Sequence, residues 1–130
     1  MDIVARECTS DEIAAMPSLD VQQDKVSVII SSPYCVAVTE NGAEAFHVIG
    51  FVANKRVRLT SSIEAYDPHS FLVQTVNSVY EISAPLGHGP LPPELADAVA
   101  MLLLCNRDAR WHDVALPQPA PSVVSVAMLH

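Results

Sequence analysis

Val57-Arg58-Leu59-Thr60-Ser61-Ser62-Ile63, the reversal Asp67-Pro68-His69-Ser70, and the runs Phe71-Leu72-Val73-Gln74-Thr75-Val76 and Asn77-Ser78-Val79-Tyr80-Glu81-Ile82 decide the fold class. β-Branched and aromatic residues dominate these runs, and Asp-Pro is a turn former. They predict a strand over 56–63, a second over 71–76, and a third that Asn77 and Ser78 either break or extend. Upstream, Val26, Val28 and Ile30 alternate within 25–31 and predict a strand that Pro33 interrupts, with another over 34–39. Asn41-Gly42 predicts a tight hairpin to 45–52, because both residues tolerate the positive φ of a type I′ turn. Gly50 inside that strand marks a bulge or bend.

The flanks are helical. Thr9-Ser10-Asp11-Glu12 reads as a capping box opening a short helix over 10–16 that Pro17 stops. Pro92 and Pro93 suit the first positions of a helix over 94–106, with Leu95, Val99, Leu102 and Leu103 as its stripe. Met101 and Leu104 widen the stripe, so this helix is expected to be deeply buried or shared between subunits. The expected fold is α+β: a curved antiparallel sheet or small barrel of five to six strands, with the two helices upon it. Residues 1–113 form the single domain, and 114–130 a Pro-rich extended tail whose charge-free end, 122–129, pairs with a sheet edge.

The 130 residues are half apolar and carry 15 acids against 7 bases, a formal net charge of −8. Such a chain repels nucleic acid and anionic membranes at long range, so the expected partner is a basic protein. No basic start with an apolar stretch opens the sequence, and the longest apolar run is far shorter than the roughly 20 residues of a membrane helix. Cys8, Cys35 and Cys105 are scattered, which fits free thiols in a reducing, cytoplasmic setting.

No motif for a catalyst, cofactor or metal emerges. Cys105, Asp108 and His112 have one-face spacing on a helix but no close ligand pair to support them. Cys35 with His47 on the neighbouring strand would be the candidate for a small thiol enzyme. No enzyme and no cofactor are expected. The candidate binding residues are Asp11, Glu12, Asp20 and Asp24, the densest acidic group; Arg56 and Arg58, on one face of a strand; and His88, in the Gly87-His88-Gly89-Pro90 loop.

The run from Arg56 to Ile63 followed by Val73-Gln74-Thr75-Val76-Asn77-Ser78-Val79-Tyr80 resembles a hairpin pattern, V-x-T-S-x-I … V-x-T-x-x-S-x-Y. That pattern occurs in small uncharacterised proteins of proteobacterial phages and mobile elements. Here Leu59 precedes Thr60, and Asn77 stands where glycine is common. The resemblance implies a habitat, accessory genes whose small products bind and inhibit host proteins, and carries no site residue. The expected function is a non-enzymatic acidic binding module, an inhibitor of a host defence complex of the anti-CRISPR kind. The alternative is a homodimer or larger assembly joined through the apolar helix and the tail.

Overall fold

The computed structural model describes residues 3–19, 28–53, 56–105 and 113–115, with side chains described as far as Met101. The elements run β1 (Ile3–Glu7), α1 (Ser10–Ala14), β2 (Ile29–Glu40), β3 (Ala43–Val52), β4 (Arg56–Leu59), β5 (Ile63–Asp67), β6 (Leu72–Thr75), β7 (Val79–Ile82), α2 (Pro93–Cys105) and β8 (Asp113–Ala115). The fold is α+β and mostly sheet. The strands join in the order β5-β6-β7-β2-β3-β4-β8, with β1 also paired to β2. β5 and β8 end this path, so among the described residues the sheet is open, and of the two expected forms, curved sheet or small barrel, the barrel is not formed. Among the described residues it has eight strands rather than five or six.

The expectation of an antiparallel sheet also needs correcting. The pair β2–β7 is parallel, through Ile29–Glu81 and Ile30–Ile82. All the other named strand pairs are antiparallel. The change of partner falls beside Pro33, which does not end a strand. β2 continues through it by a register shift between Ser31 and Tyr34, with Ser32 in the left-handed region at φ 49°. A bulge bends a strand and leaves one residue outside the ladder. Here it sends the start of β2 to β7 and the rest to β1 and β3.

The strand expected over 56–63 is likewise two. Thr60 keeps one ladder bond, its N–H donating to Val48 O at 2.9 Å, but the return bond is diverted: its Oγ1 accepts from the Val48 N–H at 3.0 Å and donates to Ser61 O at 2.7 Å. His47 Nδ1 donates to Thr60 O at 2.7 Å and fixes the kink further. Asn77 and Ser78 do break the last run, through a turn in which Thr75 and Ser78 bond each other. Asn41 at φ 55° and Gly42 at φ 83° form the expected two-residue hairpin between β2 and β3. Leu95 and Ala96 both donate backbone N–H groups to Pro92 O, so the prolines start α2 as expected. β8 pairs with β4 and crosses the boundary expected at 113/114, whereas 122–129 lies outside the described residues.

Two cores result. Val36, Val38, Ile49, Val57 and Leu59 face α2, meeting Leu95, Ala98 and Val99. Cys35, Ala37 and Val48, from the opposite face of β2 and β3, meet Tyr66, Val73, Tyr80 and Ile82 of β5–β7. The layers are therefore helix, central strands and folded-back strands. Burial on both faces explains why Cys35-Val36-Ala37-Val38 is continuously apolar instead of alternating. The described apolar side of α2 is taken up by the chain's own sheet. Among the described residues, no helix is long and apolar enough to cross a membrane.

Candidate functional site

α1 is only five residues long, and its position depends on its first turn. Thr9 Oγ1 accepts from the Glu12 N–H at 3.1 Å, and Glu12 Oε1 accepts from the Thr9 N–H at 2.9 Å. Glu12 also receives Arg6 from β1, at 2.6 and 3.0 Å. The same guanidinium reaches Glu44 on β3 at 3.0 and 3.1 Å. Arg6 thus ties α1, β1 and β3 together, and its bidentate geometry favours the charged forms. Bonds from Arg6 and the Thr9 N–H lower the Glu12 carboxyl to about 2 from 4.5.

A folded value below the unfolded one gives stability that is complete above about pH 4.5 and is lost as the pH falls toward 2. Glu12→Gln is expected to remove that part of the pH dependence. Urea midpoints at about pH 5 and about pH 3 test this: the wild type should lose more between them than the variant. Equal losses would contradict the Arg6–Glu12 assignment. Thr9→Ala should cost about 1 kcal/mol at neutral pH, as other cap deletions do.

Ser10, Ile13 and Ala14, on the other face of α1, form one wall of a cleft of about 580 Å³. Met16 and Leu19 continue this wall, and the Tyr66 N–H donates to Pro17 O at 2.9 Å, holding the segment against edge strand β5. The opposite wall is Tyr66 with the turn that follows it. Asp67 Oδ1 accepts from the His69 N–H at 2.9 Å and Oδ2 from Ser70 Oγ at 2.8 Å, an Asx-type turn. These donors, Ser70 first, hold the Asp67 carboxyl below its usual range, so it is ionised at neutral pH. Leu86 closes the cleft, its N–H donating to the Tyr66 hydroxyl at 3.1 Å. The cleft thus combines half-buried Ile13, Met16 and Leu19 with a carboxylate and an imidazole at its rim. Volume and lining of this kind suit binding of an apolar group with polar selection at the mouth.

The residues expected from sequence do not gather in one place. Asp11 and Glu12 lie on the face of α1 turned away from the cleft, and Asp20 and Asp24 lie outside the described residues. Arg56 and Arg58 do share a face of β4, but Arg58 is drawn inward. Its Nη1 donates to the Tyr80 hydroxyl at 2.8 Å and its Cζ lies 5.6 Å from that ring's centroid. It seals the junction between β4 and β7. His88 is exposed, on a loop whose backbone is pinned. Gly87 N donates to Pro33 O, Cys35 N to Gly87 O, and Gly89 N to Cys8 O.

The Cys35–His47 pairing is contradicted. His47 stands directly opposite Val36, so the thiol and the imidazole project to opposite faces of the sheet. Cys35 is fully buried beside Cys8, whose hydrogen bond, together with burial, pushes the Cys35 thiol far above the ordinary range. A thiol so placed is not a nucleophile. No group of three metal-ligating side chains occurs among the described residues, and Asp108 and His112 lie outside them. Sequence gave no motif for the cleft, although α1 and the Asp67 turn that wall it are each legible locally. No known protein family, curated protein or solved structure matches this chain.

Proposed function

We propose that the chain is a non-enzymatic, acidic protein-binding module that engages a basic protein. Its concrete form is an inhibitor of a host defence complex, encoded by a phage or mobile element. The observation that carries this reading is charge: a net −8 on a fold that draws Arg6 and Arg58 into internal bonds. Asp11, Glu64, Glu81 and Glu94 are exposed on the described surface. Such a surface accelerates encounter with a basic partner, and its pull fades with salt.

The test is affinity capture from a proteobacterial lysate at low and high salt, with mass spectrometry of the retained proteins. A basic complex retained at about 50 mM salt and released by about 0.5 M is expected, since the screening length falls severalfold across that range. Retention of nothing but further copies of this chain, insensitive to salt, would replace the reading with self-assembly.

A further inference from the structure

We infer that the cleft between α1 and the β5–β6 turn receives an apolar side chain from a positively charged peptide segment of the partner. This deepens the acidic-module reading and rests on it. Three features of the cleft select the occupant.

The first is the wall formed by Ile13, Met16 and Leu19, which are half-buried and leave apolar surface facing the cavity. A leucine- or methionine-sized group would cover it, and covering apolar surface is favourable in proportion to area. The second is the Tyr66 hydroxyl. Tyr66 is only 7% exposed, its oxygen accepts the Leu86 N–H, and its own proton has no acceptor among the described residues. A buried O–H left unsatisfied is costly, so an incoming carbonyl at this wall gains a bond the fold leaves unmade. The third is Asp67, whose two oxygens are each fixed by a donor while the carboxylate keeps its charge at the mouth.

An apolar group, a carbonyl acceptor and a cation within one short reach describe a peptide with a large aliphatic residue beside Arg or Lys. An acidic peptide would meet Asp67 and the net negative charge of the chain unfavourably. A small anion has no counter-charge in the cleft lining, where Asp67 is the charged group and His69 an imidazole at the rim.

The test is titration of the full, isotope-labelled chain with three blocked tripeptides, followed by amide chemical shifts. The peptides are acetyl-Arg-Leu-Lys-amide, acetyl-Arg-Gly-Lys-amide and acetyl-Glu-Leu-Glu-amide, each taken to about 5 mM, since so small a contact supports only millimolar affinity. Saturable shifts at Ile13, Met16, Tyr66 and Leu86 are expected with the first peptide alone. Tyr66→Phe should weaken that binding about three- to tenfold, the usual worth of one hydrogen bond. Ala14→Lys, at an exposed wall position where folding is not at stake, should weaken it by a similar factor through like-charge repulsion.

Equal shifts with the leucine and glycine peptides, or no saturable shift in the cleft, would overturn the inference. Capture of a basic partner that is lost with salt yet unchanged by Ala14→Lys would overturn the cleft assignment while leaving the acidic-module reading intact. Seating of the leucine peptide without capture of any basic partner would support the cleft and sink that reading.

Discussion

Gly50→Ala is expected to lower the stability of this chain by about 3 kcal/mol, the upper end of the cost of overfilling a packed interior. An added Cβ at Gly50 would stand 2.4 Å from Ile30 Cγ2 and 2.8 Å from the backbone oxygen of Ser31. Ile30 has no exposed surface, and Ser31 O belongs to the bulged strand, so neither can retreat cheaply. The clash falls where β2 changes partners, and relieving it means moving the first residues of β2 off β7. Ile30→Ala should accordingly cost less in the Gly50→Ala background than alone, because the two substitutions share a contact. Chemical denaturation of the four proteins of this cycle measures both effects. A loss below about 1 kcal/mol for Gly50→Ala would contradict the close approach of the β2 bulge to Gly50.

Leu95→Ala should cost about as much by the opposite route. Leu95 is fully buried at the start of α2, against a core that includes Val36, Ile49, Val57 and Leu59 from three strands. Truncating such a leucine removes its transfer energy and leaves a cavity, about 3–4 kcal/mol together. The thermal midpoint should fall by roughly 10–15 °C in a domain of this size. Val76→Ala serves as the control: Val76 is 59% exposed, and the change should stay within about 0.5 kcal/mol. Were the helix held mainly by a second copy of the chain, the Leu95→Ala loss would depend on protein concentration. No such dependence is expected.

Local chemistry made several parts of the fold legible. Asn41-Gly42, the Thr9–Glu12 capping box, Asp67-Pro68 and the Pro92-Pro93 helix start each carry their conformation in adjacent residues, and each occurs where expected. The misreadings share a cause, which is that tertiary bonds decide them. Thr60 is a good strand former, yet His47 takes its carbonyl and the Val48 N–H its hydroxyl, so the ladder stops there. Pro33 reads as a break, yet the bulge needs no N–H there, and its carbonyl is used by Gly87. β1 shows only weak alternation in Ile3-Val4-Ala5-Arg6-Glu7, and the parallel β2–β7 pairing has no local signature at all. Arg58 reads as a surface cation because nothing near it in sequence announces Tyr80. The cleft is harder still, since its walls come from α1, the 16–19 segment, the Asp67 turn and the Pro85-Leu86 loop. Only folding brings these segments together, whereas the acidic balance behind the proposed function is readable directly from composition.

The most direct test of that function is the salt dependence of the dissociation constant with the captured partner. It should be measured for the wild type and for the variant Asp11→Asn, Glu64→Gln, Glu81→Gln, Glu94→Gln. The account predicts affinity that falls steeply between about 50 and about 500 mM salt for the wild type and much less for the variant. Affinity unchanged by salt and equal in the two proteins would contradict it.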